Sequence, residues 1–495
     1  MKAIRIISLA LLGLFVFQIS PVFADSSGDM MSMLESLKQQ MAKMQSTIDA
    51  QNARIQQLES RPAVEIPAPA PVPSEPVKMA DDDFQKSLKK NIGDAVPWLK
   101  GAKYSGDLRL RYEGFDYYDK NSDAGSTTTS ADRTRNRFRI RLRWGFEKDY
   151  GDDWKVGFRL ATGNTTDPTS TNQTLGNAGY FTFKAINVDR AYATYEPSSL
   201  KDKGILTGVK IGGGKFENPF FRYSTPMVWD SDVTPEGIFE QANLGLINTD
   251  TDKLNFQATT GQFVINENAA QATDANLFGY QGALSWTTSD FHTAQPVDIA
   301  TAVSFYDYTN WFGTIKAANN TAATSFLRTN SIVADDFRVL DIYPEVTFNV
   351  KKDLPLMLWY DYLINTANVG TDDTAQSNGD DIHDSDSAWG LGLKLGKAKK
   401  KDSWEMSYGY YEIGVNATPA AFDDADWGGP GLNGFTNRKG HRFGLVYQLT
   451  DNVGLYLTGY VIRPLHPFNG NATIGIQNST NESVFRSQVD LVYKF

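Results

Sequence analysis

Residues 135–146 read RNRFRIRLRWGF. Phe138, Ile140, Leu142, Trp144 and Phe146 fall on one parity, and Arg137, Arg139, Arg141 and Arg143 on the other. That is the period of an extended strand whose two faces meet different surroundings. At about 3.3 Å per residue the four arginines form a column about 20 Å long. Such a column is either the wet face of a soluble sheet or the water-facing side of a strand whose other side faces lipid. The rest of the chain decides between these readings.

The same alternation recurs. Leu108, Leu110 and Tyr112 oppose Asp107, Arg109, Arg111 and Glu113; at the C-terminus, in SQVDLVYKF, Val489, Leu491, Tyr493 and Phe495 oppose Gln488, Asp490 and Lys494. Sixteen such segments lie between Tyr104 and Phe495; the one near Ala185 is weak, and the one near Gly237 carries Glu240 on its apolar parity. The connections alternate strictly. Long ones at 117–134, 162–179, 216–236, 266–276, 309–334, 366–386, 414–437 and 464–482 are separated by short ones such as DYGDD, NTDTD, KKD and TDN. A soluble sandwich has no reason to order loop length by parity, whereas a membrane barrel has tight turns at one end and loops at the other. An even strand count closes the sheet, so no backbone group is left unpaired in hydrocarbon. The expectation is an all-β, transmembrane antiparallel barrel of about 16 strands over 103–495. Its arginines then face inward, because each would cost about 2–4 kcal/mol at the lipid midplane. Arg109, Arg111 and Arg159 join the column as a basic wall, and Phe495 belongs to an interfacial aromatic girdle.

Composition agrees with many short strands: 22 tyrosines, 29 phenylalanines and 41 glycines. No cysteine is present, which excludes disulfides, thiolate metal sites and a cysteine nucleophile. A net charge of −10 argues against nucleic acid as a partner. Residues 1–24 have a charged start (Lys2, Arg5), an apolar run Ile6–Phe17 and a small-residue end at Ala24, the form of a secretory signal peptide; an uncleaved anchor is the alternative. No later segment holds the roughly 18 apolar residues of a spanning helix. In 25–61, Met30, Leu34, Leu37, Met41, Met44, Ile48, Gln51, Ile55 and Leu58 follow a heptad seam, predicting an α-helical coiled coil or a lone amphipathic helix. Residues 62–80 are a proline-rich linker, and 81–102 a lead-in segment.

With SGDLRLRYE at 105–113, GGGKFENPF at 212–220 and the terminal VDLVYKF, the chain resembles the bacterial outer-membrane porins that carry a signal peptide, a short coiled coil and a C-terminal barrel. The resemblance implies a Gram-negative outer-membrane location with periplasmic termini, contact with lipid and lipopolysaccharide, a homotrimer, and a third outer loop folded into the lumen as a constriction.

That loop reads ENPFFRYSTPMVWDSDVTPEG, and its acids are Glu217, Asp230, Asp232 and Glu236. Opposite the arginine wall they would set a transverse field; the alternatives are solvated acids or direct pairing with arginines. GGGK lacks the spacing of a phosphate loop, so its glycines are read as room for close packing. His383 among Asp381, Asp384 and Asp386, and the run DDADWGGPGLNG (423–434), are read as solvated outer loops, with calcium binding as the alternative. No catalytic constellation, metal site or cofactor is assigned. The expected function is passive diffusion of ions and small hydrophilic solutes. The alternatives are an anion-selective pore, for phosphate for example, an anchor reaching the cell wall through the coiled coil, and a barrel hydrolase.

Overall fold

The computed structural model describes residues 101–118, 134–165, 167–177, 179–221, 225, 227–267, 274–289, 295–311, 337–367, 385–427, 436–466 and 483–495. The expected leader, coiled coil, proline-rich linker and most of the lead-in lie outside the described residues, as does His383.

The strands are β1 Lys103–Tyr118, β2 Thr134–Gly151, β3 Trp154–Thr162, β4 Gln173–Thr174, β5 Ile186–Tyr195, β6 Leu206–Lys215, β7 Glu236–Asn248, β8 Asp252–Asn266 and β9 Ala275–Thr288. They continue as β10 Val297–Thr309, β11 Phe337–Lys351, β12 Leu354–Asn365, β13 Ser387–Gly396, β14 Trp404–Ile413, β15 Arg438–Gln448, β16 Val453–Pro464 and β17 Ser483–Lys494. All belong to one sheet, and β17 returns to β1. Leu110 lies opposite Leu491 on one side and Ile140 on the other, both in antiparallel register. At the seam the main chains of Gly106 and Phe495 exchange hydrogen bonds of 2.9 and 3.1 Å. A side chain at Gly106 would collide with the Arg143 carbonyl oxygen at 2.2 Å, so glycine is required where the first and last strands meet.

Sixteen strands are full staves of a closed barrel, and β4 is a two-residue patch. The pairing of β3 with β2 ends where Ala161 meets Arg143; β4 then takes over, Thr174 and Gln173 facing Arg139 and Ile140. The second long connection therefore runs to residue 185 and holds a strand of its own, which alternation over 162–179 does not reveal. The weak segment near Ala185 is β5. Arg159 pairs with Arg190 and Leu160 with Val188, so a bulge at Asp189 switches the parity halfway along the strand. Glu240 does sit on the outer face: its carboxylate accepts from Thr260 (2.6 Å) and Gln262 (3.2 Å).

The two faces differ as sheet physics requires. Outward side chains stay uncovered, with Phe138 61% exposed and Leu110, Leu142 and Trp144 exposed beside it. The turns joining β2 to β3 and β11 to β12 are tight and place Asp152, Asp153 and Asp353 in the left-handed region that aspartate tolerates. At this short-turn end, outward rings form a row: Tyr104 with Trp144 (6.2 Å between centroids), Phe146 with Phe158 (5.4 Å), Trp154 with Tyr195 (4.9 Å), and Tyr493 with Phe495 (5.9 Å). Phe495 is 45% exposed within that row.

Candidate functional site

Among the described residues, parts of three long connections reach the inner face: L2 (163–185), L3 (216–235) and L7 (414–437). Each touches a wall of β17, β1 and β2 whose inner face is dense in charge. In register, Arg109 faces Arg141 and Arg111 faces Arg139 across β1 and β2, so four guanidinium groups form a block. Like charges this close persist only with countercharge. The strands supply part of it. Asp107 accepts from Arg141 (2.8 Å) and Arg143 (2.6 Å); Asp490 accepts from Arg111 at 2.6 and 2.7 Å. Glu113, with no exposed surface, takes Arg137 and Arg486 together, and Gln488 donates to it at 3.0 Å. On the next staves Arg159 pairs with Asp189, and Arg190 with Glu217 at 2.7 Å.

The loops supply the rest. From L3, Asp232 lies 3.3 Å from Arg143 and 3.9 Å from Arg141, and it also accepts from the Thr171 amide (3.0 Å) and hydroxyl (2.8 Å) of L2. From L7, Asp426 reaches Arg111 at 3.0 Å and Arg486 at 2.7 Å. L3 and L7 are joined at Asp230, whose amide donates to the Phe422 carbonyl (2.7 Å) and whose carboxylate accepts from the Ala425 amide (2.8 Å). Burial, with Asp424 and Asp232 nearby, pushes the Asp230 carboxyl well above the ordinary carboxylate range. Burial would raise Asp232 as well, but Arg141 and Arg143 outweigh it and hold that carboxyl low. At Asp426 burial is likewise outweighed by Arg111 and Arg486, which hold it well below the usual range.

The opposite wall is aromatic. Phe220 and Trp229 of L3 meet Tyr306 of β10 at 5.2 and 5.7 Å between centroids; Phe422 of L7 stacks on Tyr308 at 6.2 Å, and Trp427 meets Tyr411 of β14 at 4.9 Å. These rings continue into one buried cluster with Phe337, Tyr343, Trp359 and Leu363. Asp341 and Asp361 are buried on the same wall. Gly212, read as packing room, faces the Phe239 ring, which a Cβ would approach to 2.2 Å. Between L2, L3 and the loop ends of β7 to β9 lies a cavity of about 650 Å³, bordered by Asp167, Asp189, Lys215 and Glu236.

The residues read from sequence thus separate. Arg137, Arg139, Arg141 and Arg143 share the inner wall with Arg109, Arg111 and, on β3, Arg159. Of the four acids read from sequence in this segment, Asp232 meets that wall by direct contact and Asp230 turns to L7. Glu217, its side chain 75% exposed, pairs with Arg190, and Glu236 with Lys215 at 2.8 Å. The DDADW run differs from its reading as a solvated loop: Asp426 is inside the barrel because Phe422 and Trp427 bury beside it and Arg111 and Arg486 neutralise it. Asp107, Glu113 and Asp490 share the arginines' parity in the sequence, so that parity was the available signal for them. Arg486 shares the parity of Gln488 and Asp490 on β17, so its inward face was legible too, but its pairing with Glu113 depends on barrel closure; Asp426 had no such signal, since its pairing depends on loop descent. Among the described residues no cluster of metal-ligating side chains is present.

A sequence model described as "Putative porin" matches residues 86–332 and 319–460. No curated protein matches the chain. Among solved structures, the high-pH structure of Pseudomonas putida OprB is similar at 10% identity and a TM-score of 0.46, covering 83% of this chain and 97% of its own. Salmonella typhi OmpF in complex with daunomycin is similar at 11% identity and a TM-score of 0.40, covering 80% and 98%.

Proposed function

The chain belongs to the porin family whose model it matches and is an outer-membrane channel; from this premise we propose how its lumen conducts. Family and fold point to a channel rather than an enzyme. Ions and small hydrophilic solutes diffuse passively through the lumen, past its charged wall. The observation that carries this is the split between an apolar outer face and an inner face of ionised side chains, several of which keep solvent contact. Both termini and the short turns are placed in the periplasm, and the long loops towards lipopolysaccharide.

The assembly proposed is a homotrimer. Glu240, with Thr260 and Gln262, forms a polar spot on the outer face, and Ala193, Gly213, Ala242 and Ala258 around it are small. A carboxylate there is costly against lipid, and a second copy packed on this surface would cover it. In planar bilayers the refolded full-length chain is expected to insert with conductance rising in three equal steps. Sealed bilayers would refute conduction, and single steps would refute the trimer alone.

A further inference from the structure

We infer that Arg109 and Arg139, alone among the wall arginines read from sequence, form a station for a small oxyanion, the phosphate or carboxylate group of a permeating solute. The inference rests on the channel reading and names which part of the wall a solute meets.

The asymmetry lies in what each loop brings. L3 brings Asp232 to Arg141 and Arg143, and L7 brings Asp426 to Arg111 and Arg486, both carboxylates. L2 brings only neutral oxygens. Arg109 donates to the Asn172 side-chain oxygen at 2.5 and 3.2 Å, and Arg139 to the Ser170 hydroxyl at 3.2 Å and the Asn172 carbonyl at 3.4 Å. Their nearest carboxylates are no closer than 4.0 Å for Arg109 (Asp490) and 3.7 Å for Arg139 (Glu113). Both acids are already held by other arginines: Asp490 by Arg111, and Glu113 by Arg137 and Arg486. Around this point five guanidinium groups (Arg109, Arg111, Arg137, Arg139, Arg486) meet three carboxylates (Glu113, Asp426, Asp490). The surplus positive charge falls on the two arginines that lack a carboxylate of their own.

One of these also keeps a free donor: the Arg139 Nε–H has no hydrogen-bond partner among the described residues. A buried unpaired donor on a charged group is costly unless something accepts from it. Both side chains keep some solvent contact, Arg109 at 12% and Arg139 at 11%, as Arg137, Arg141 and Arg143 also do, whereas Arg111 and Arg486 are nearly sealed. Planar forks of this kind match the paired oxygens of phosphate or carboxylate. Ser170 and Asn172 hold the forks in place without cancelling their charge.

The test uses full-length protein in planar bilayers with chloride as carrier and inorganic phosphate as the probe. Wild type is expected to show phosphate block of the chloride current, and the double variant Arg109→Gln/Arg139→Gln to need at least tenfold more phosphate for half-block. The control Lys155→Gln, which removes one lumen cation already paired with Glu196 at 3.2 Å, should keep the wild-type value. Should the double variant not refold to a heat-shifted barrel on gels, Arg139→Lys, which keeps charge and loses the fork, is expected to raise half-block about threefold. Conducting wild type without phosphate block, or unchanged half-block in either variant, overturns the station and leaves the channel reading standing. A wild-type bilayer that stays sealed overturns both.

Discussion

The two halves of the lumen are built from opposite physics. On the β17–β1–β2 side every buried arginine is held by named acceptors at hydrogen-bond distance, and each acid serves two or more cations. On the β10–β14 side the same loops are held by rings, which bury large apolar area and contribute through many small contacts. L3 and L7 touch both halves at once. Their positions are therefore set by discrete ion pairs on one side and by a broad, forgiving contact on the other. The charged half is specific and brittle, and the aromatic half is cohesive and tolerant.

The sharpest way to break that contrast is an isosteric change at the hub of the charged half. Glu113→Gln keeps shape and removes the charge that holds Arg137, Arg486 and Gln488. Stranding buried guanidinium groups costs about 3–5 kcal/mol, so urea unfolding from micelles should show a loss of that size. A variant within about 1 kcal/mol of wild type would mean the wall is hydrated enough to be indifferent to its pairs.

A smaller effect separates the two clasps of L3, because Asp230 and Asp232 shift in opposite directions. Asp232, held low by Arg141 and Arg143 despite burial, contributes stability present above the ordinary aspartate value near ~4 and lost as pH falls through its folded value. Asp230 shifts the other way, raised by burial and by Asp424 and Asp232. Its contribution is complete below ~4 and is lost as pH rises towards its folded value. Each slope is bounded by one proton, about 1.4 kcal/mol per pH unit. Asp232→Asn should flatten only the acid limb of an unfolding-against-pH profile, and Asp230→Asn only the limb above ~4. A common response to both substitutions would show that L3 is held as one unit.

Much of this architecture was legible in the sequence because alternation and loop length are local properties. The long and short connections fall where the parity argument puts them, and the arginines of β2 lie on one inner face. Reading failed where a tertiary event overrode the local period. The bulge at Asp189 switches parity inside β5, and the early end of β3 leaves space that β4 fills. The counterions were half visible. Asp107 and Glu113 share a parity with Arg109 and Arg111, but whether they neutralise those arginines depends on register across strands. Asp426 was hidden, because nothing in DDADW distinguishes a loop that faces water from one that descends onto Arg111 and Arg486. Its Trp427 and the nearby Phe422 are the only local hint, since aromatic rings seek cover.

The smallest expected effect tests the tolerant half. Tyr308 is fully buried among Trp311, Phe337 and Phe422, with ring centroids 5.7 to 6.3 Å away, and its hydroxyl has no hydrogen-bond partner among the described residues. A buried hydroxyl without a partner costs desolvation and returns nothing, so its removal in Tyr308→Phe should leave stability within about 1 kcal/mol of wild type or raise it. The ring contacts survive the change. Were the substitution instead to cost more than about 2 kcal/mol in the same urea assay, the hydroxyl would have to be engaged in the folded barrel. The aromatic wall would then depend on directed polar bonds as the arginine wall does, and the division of the lumen into a brittle and a tolerant half would fail.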